Sequence, residues 1–319
     1  RQRDPDAAIA CFTRALSLAP DHPQYLLFRG AVHLSKNDTQ AALSDLTACL
    51  SGDPDNTTAL KLAGQTYARI GQVDQARDML SKAVCTSPED TDAVLDLADF
   101  LLDQGSSSEA EVQLKRTLSL EPENFRACLT FGNLLFAKGA FGAAAGWFQK
   151  AQQLEPDNAS TWNNLSSAQF ATGAFEKAEA SCEQAISLNP GHARAYHNLA
   201  NVMQQTGRLD RAVESYAKAV VLDPSLDTAR AQLLHFKAQI CDWSAYTDFK
   251  DVAETLGLAG EIVSPWPLLG FEDAPGRQRQ RSAHYARQWQ RTRHRFAPGL
   301  RKDRLRIGYF SSDLYDHAT

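Results

Sequence analysis

No run of roughly eighteen apolar residues occurs in the 319-residue chain, so it offers no helix able to cross a membrane. Six cysteines, Cys11, Cys49, Cys85, Cys128, Cys182 and Cys241, are scattered singly, with no C-x-x-C pair and no histidine at ligand spacing. That scatter argues against a metal site or a disulfide framework and predicts small buried hydrophobes in a reducing, cytoplasmic compartment. A strong charge of one sign is also missing, since the formal net charge is -5. The balance is uneven: residues 1–226 hold 19 basic and 27 acidic side chains, and residues 227–319 hold 14 and 11. Between Arg277 and Arg306 eleven Arg or Lys face the single Asp303. There Tyr285, Trp289, Thr292 and Phe296 fall at i, i+4, i+7 and i+11. This spacing predicts one stripe of an amphipathic helix with its other faces solvated by arginine, and no nucleic-acid partner.

What the chain does have is a period. Pro20, Pro54, Pro88, Pro122, Pro156, Pro190 and Pro224 follow one another at 34 residues. That interval holds two antiparallel helices and a turn, with proline stopping the second helix because it has no amide to donate. Ala8, Ala42, Ala76, Ala110, Ala144, Ala178 and Ala212 keep the same interval. So do Asn37, Gly71, Gly105, Gly139, Gly173 and Gly207, types that accept the left-handed backbone closing a helix. Four residues after the alanine stand Leu46, Leu80, Leu114, Phe148 and Tyr216, with Cys182 the small exception. A single hairpin cannot bury its apolar face, so the units must stack.

The aromatic, Leu, Gly or Ala, Tyr, Ala, Phe, Ala and Pro pattern resembles the tetratricopeptide repeats. It is clearest in Trp162, Leu165, Ala178, Ala185 and Pro190, then in Tyr196, Leu199, Ala200, Ala212, Tyr216, Ala219 and Pro224. The expected fold is all-α, a right-handed superhelix. Residues 1–22 form a half repeat with its second helix only, and six whole units over 23–226 begin at Pro23, Thr57, Thr91, Phe125, Ala159 and Ala193. The half unit, and a start at Arg1 rather than methionine, predict a piece of a longer protein.

After Pro224 the pattern loses phase. Residues 227–303 are expected to hold a capping helix, with Trp243 covering the end of the array, and a linker with the arginine-rich helix. Arg304 to Phe310 form a short apolar and aromatic run before Ser311-Ser312-Asp313, which predicts a β-strand and loop over 304–319. Cys241-Asp242-Trp243-Ser244 and L-R-I-G-Y-F-S-S-D-x-x-x-H, residues 305–317, resemble the protein O-GlcNAc transferases and SPINDLY-type enzymes of glycosyltransferase family 41. Ala318 is similar to the bacterial branch.

The resemblance implies that the strand opens a truncated Rossmann-like catalytic region of the GT-B type, which would transfer a sugar to protein Ser or Thr. The donor would be a nucleotide sugar, UDP-GlcNAc or GDP-fucose. His317, on the loop leaving the strand, would line the catalytic site, with a side chain that titrates near neutrality. The chain as given, lacking most of that region, is expected to be inactive, to bind no cofactor or metal itself, and to leave homodimerisation open.

The same resemblance implies an inner groove that holds extended polypeptide substrate through asparagines. Asn164 and Asn198 occupy the family's position, and Asn133 and Asn201 stand three residues further on in their units. An amide side chain can pair with a peptide unit without reading its side chain. The alternative is that they are solvated helix residues. Asp92, Asp96, Asp99 and Asp103 share one helix face, which either is solvated or holds a basic stretch of substrate. A different class of function is a non-enzymatic adaptor. A receptor for a terminal carboxylate would use Lys61 and Gln65, but Asp96 stands where the next asparagine is needed and would repel it.

Overall fold

The computed structural model describes residues 4–287. Helix α1 (Pro5–Leu18) is followed by hairpins α2 (Pro23–Ser35) with α3 (Thr39–Gly52), and α4 (Thr57–Arg69) with α5 (Val73–Thr86). Next come α6 (Thr91–Asp103) with α7 (Ser107–Leu120), and α8 (Phe125–Ala137) with α9 (Phe141–Leu154). Then follow α10 (Ala159–Ala171) with α11 (Phe175–Leu188), and α12 (Ala193–Gln205) with α13 (Leu209–Leu222). The remainder is α14 (Asp227–Gln239), α15 (Ser244–Val252), a short 3-10 turn at Trp266–Leu268, and α16 (Pro275–Ala286). Among the described residues there is no strand, and no helix is long and apolar enough to cross a membrane. The strand expected at Arg304–Phe310, His317, and the stripe residues Trp289, Thr292 and Phe296 lie outside the described residues.

Local chemistry sets both ends of most first helices. Asn56, Asp90, Asn124 and Asn158 accept hydrogen bonds from the amides of Ala59, Ala93, Ala127 and Thr161, which satisfies donors that the helix leaves open. At the other end Gly71, Gly105, Gly139, Gly173 and Gly207 have φ of 75–78°. The residue after each donates back into the last turn, as Gln72 N does to Tyr67 O at 2.9 Å. Asn37 takes the same conformation at φ 59°.

Packing is small against large. The repeating alanines from Ala42 to Ala212 are fully buried. Across each hairpin a small residue of the first helix faces the large slot of the second. Gly30 meets Leu46, Gly64 meets Leu80 and Gly132 meets Phe148. Ala98 shares a cluster with Leu114, and Ala200 with Tyr216. Opposite the small Cys182 stands Ser166, larger than glycine, and burial pushes the Cys182 thiol up to about 11.

First helices of neighbouring units touch one another, α4 against α6, α8 against α10 and α10 against α12. No two second helices pack to that degree among the described residues. The row in closer mutual contact lies on the inside of the bend, so the first helices line the inner face of the superhelix.

Several expectations change. The repeat's phase survives Pro224 in the backbone: α14 starts 34 residues after α12, and Cys241 takes the glycine slot at φ 61°. A cysteine in that slot hid the unit. Trp243 does not cover the end of the array, because it is 65% exposed. Ala245 and Phe249 of α15 do so, packed with Leu234, Leu256, Val263 and Leu268. Cys49, Cys128 and Cys182 are buried as expected, but Cys11, Cys85 and Cys241 are exposed, since they lie off the packing slots. In α16, Arg281 is fully buried rather than solvated, donating to the carbonyls of Leu256 and Ala253 and pairing with Glu272.

Candidate functional site

The asparagines of the inner face are tied to one another and to the scaffold. Asn164 on α10 donates its amide to Asn133 Oδ1 on α8 at 3.2 Å. Asn198 on α12 donates to Asn163 Oδ1 and Ser167 Oγ, both at 2.9 Å. Asn201 Oδ1 accepts from the Tyr216 hydroxyl at 2.6 Å. Burial pushes the Tyr216 phenol upward, so it remains a donor. One half of each amide is thereby held in place. Among the described residues the other halves, Asn133 Nδ2, Asn164 Oδ1 and Asn201 Nδ2, make no protein hydrogen bond, and together they present donors and an acceptor to the groove.

The acidic stripe of α6 is not four free carboxylates. Asp92 and Asp103 are exposed, Asp99 is half-buried and Asp96 is buried. Arg126 of α8 donates to Asp96 at 3.0 Å and to Asp99 at 2.5 Å, and Gln65 of α4 donates to Asp96 at 2.7 Å. Burial works against the Arg126 charge, but the bonds to Asp99 and Asp96 outweigh it and hold the guanidinium above its usual range. Sequence reasoning missed Arg126 because it lies 30 residues after Asp96, one repeat away. These groups, with Arg69, line a pocket of about 470 Å³ with both signs of charge. Lys61 pairs with Asp90 at 3.1 Å. Both residues of the carboxylate-clamp pattern, Lys61 and Gln65, are thus engaged by the protein itself.

One step along the inner face the chemistry turns apolar. Phe136, Phe141, Ser167, Phe170, Ala171, Asn198 and Asn201 line a pocket of about 300 Å³. Phe136 meets Phe141 edge-on at 5.1 Å, and Phe170 meets Phe175 in the same way at 5.6 Å. The two pairs are 34 residues apart, so their signal was in the sequence as an extra pair of repeating slots. No group of three or more His, Cys, Asp or Glu able to hold a metal ion occurs among the described residues.

Tetratricopeptide repeat profiles match residues 33–84, 71–127 and 169–240 in one form, and 1–57 and 129–192 in another. The chain belongs to the tetratricopeptide repeat family. Its matched residues end at 240. Among solved structures it is similar to the APC/C hetero-tetramer Cut9-Hcn1, with 19% identity and a TM-score of 0.60 over 73% of this chain and 46% of that one. It is similar also to a tetratricopeptide repeat protein from Parabacteroides merdae, with 19% identity and a TM-score of 0.55 over 72% and 91%. A third likeness is YrrB, a repeat protein with an unusual peptide-binding site, at 25% identity and a TM-score of 0.49 over 58% and 96%. No curated protein matches the chain. Tetratricopeptide repeats bind peptides and proteins, and the fold of this chain is consistent with a protein-binding scaffold.

Proposed function

We propose that this chain is a protein-binding scaffold whose inner face, from α8 to α12, holds an extended segment of a partner protein. The observation that carries the reading is the row Asn133, Asn164, Asn198 and Asn201, in which the protein fixes one half of each amide. An amide held this way meets a peptide unit at little cost in side-chain entropy. The bound segment would be recognised mainly through its backbone. The test is an array of extended nonapeptides against the wild type and the Asn133→Ala, Asn164→Ala double variant. Two lost hydrogen bonds at about 1 kcal/mol each predict roughly a tenfold or greater loss of affinity. That loss should be similar for unrelated sequences. Unchanged affinities would remove the asparagines from the function.

A second reading is supported by the resemblance of Cys241 to Ser244 and of Leu305 to His317 to glycosyltransferase family 41. In it the scaffold delivers Ser or Thr of a protein substrate to a catalytic region that takes a nucleotide sugar, in the cytoplasm. His317 would carry the acceptor's proton. A protein extended through the following coding sequence should transfer GlcNAc or fucose, and His317→Ala should lower its turnover at least about tenfold. Absence of transfer from both UDP-GlcNAc and GDP-fucose would leave the scaffold reading alone.

A further inference from the structure

We propose that the pocket between Phe136, Phe141, Phe170 and Asn198 is an anchor site for one large apolar side chain, phenylalanine or leucine, of the peptide in the groove; this rests on the scaffold reading above. Its volume of about 300 Å³ has room for a large side chain, and none of its lining residues is charged. The adjacent pocket around Arg126 has charges of both signs, so the inner face changes character over one repeat. Four of its seven lining residues, Phe136, Phe141, Phe170 and Ala171, are apolar, and the unpaired amide halves belong to the asparagines. A neutral apolar group therefore suits the interior while the peptide backbone meets the amides.

The walls are already in place. Phe141 holds the Phe136 ring edge-on at an interplanar angle of 63°, and Phe175 holds Phe170 at 60°. Rings fixed before binding lose little rotamer freedom when the pocket fills, which is what a binding anchor needs. The rim supplies the rest. Asn198 and Asn201, held by Asn163, Ser167 and Tyr216, stand where they can pair with backbone on either side of the buried side chain. In an extended peptide alternate side chains point to opposite faces, so the anchor enters while its neighbours point away.

The site occurs once among the described repeats. One repeat earlier Leu102 and Ser107 stand in the slots of Phe136 and Phe141, and one repeat after Phe170 and Phe175 stand Gln204 and Leu209. A single anchor fixes the register of a peptide that the asparagines alone would let slide.

The test uses fluorescein-labelled nonapeptides with a neutral Ser/Ala background and Phe, Leu, Ala or Asp at the centre, titrated with the full chain by anisotropy. Phe and Leu peptides should bind about tenfold or more tightly than the Ala peptide, the ratio that burying one large side chain supports. The Asp peptide should bind more weakly than Ala. Phe170→Ala should bring the Phe-to-Ala ratio below about threefold, and so should Ala171→Trp, which fills the mouth without removing a wall. A ratio near one in the wild type, or the same ratio in both variants, overturns the anchor while leaving the scaffold reading standing. If neither the Phe nor the Ala series binds at millimolar concentration, both fall.

Discussion

Adding one methyl group to a glycine should have opposite effects at two positions of adjacent helices. A Cβ on Gly132 would lie 2.6 Å from Cε1 and 2.7 Å from Cδ1 of Phe148. Carbon atoms prefer about 3.5–4.0 Å, so the ring or the helix must move by roughly 1 Å. The ring has little room to do so, being 1% exposed and packed with Ala144, Leu165 and Ala168. Overpacking of this kind costs about 1–3 kcal/mol, against which alanine gains about 1 kcal/mol in helix propensity. Gly132→Ala should therefore destabilise by about 1 kcal/mol. Gly146 of α9 is exposed, and its Cβ would meet nothing within 4 Å. Gly146→Ala should stabilise by about 0.5–1 kcal/mol. The two variants then differ by about 2 kcal/mol, roughly 4–8 °C in melting temperature for an array of this size. Thermal and urea unfolding followed by circular dichroism measures this, with midpoints compared because repeat arrays need not unfold as one unit. The molecule also supplies the rescue, since Ala98 opposite Leu114 is a pairing it already uses. Adding Phe148→Leu to Gly132→Ala should recover part of the loss. Equal midpoints for Gly132→Ala and Gly146→Ala would refute the packing account.

Acid should weaken the array before its carboxylates titrate. Burial holds His192, His197 and His235 below the ordinary value of 6.5, so each is neutral in the folded protein where the unfolded chain is protonated. Their contribution is complete above about pH 6.5 and is lost as pH falls through the folded-state values. His192 Nδ1 caps α12 by accepting from Ala195 N, a task that Asn158 performs for α10. His192→Asn should keep the cap and reduce the fall in melting temperature between pH 7 and 5.5; an unchanged fall would exclude His192 from the effect. Cys241 holds a left-handed backbone that costs a non-glycine residue about 1 kcal/mol, so Cys241→Gly should stabilise the α14–α15 end by about that amount in urea unfolding. A loss of stability would show that the thiol does more there than occupy a turn.

The repeat was legible because its signals are local. Proline, the asparagine or aspartate cap and the positive-φ glycine each act within one turn of chain, and helices start at Pro23, Thr57, Thr91, Phe125, Ala159 and Ala193. The groove was less legible because its chemistry is settled between repeats. Asp96 and Asp99 form a bare acidic stripe on their own helix, yet Arg126 and Gln65 reach them from the helices on either side. Asn198 is paired with Asn163, 35 residues back, which no single-helix pattern contains. The phenylalanine pocket does follow the 34-residue period, Phe136 with Phe170 and Phe141 with Phe175. What the period leaves out is that residues of three successive units, from Phe136 to Asn201, converge on one cavity. Trp243 misled because a large apolar side chain at the end of an array suggests cover, whereas the smaller Ala245 and Phe249 point inward.

The pairing of a small slot with a large one within each hairpin makes the hairpin, and not the helix, the interchangeable part. Gly132 suits Phe148, and Ser166 suits Cys182. Transplanting α8 into the place of α10 would set glycine against cysteine and leave a void, while α10 in the place of α8 would drive a serine into a phenylalanine ring. Moving α8 together with α9 carries both halves of the match. An array assembled this way can gain or lose whole units, and with them groove positions such as the phenylalanine pocket, without a new solution to its interior.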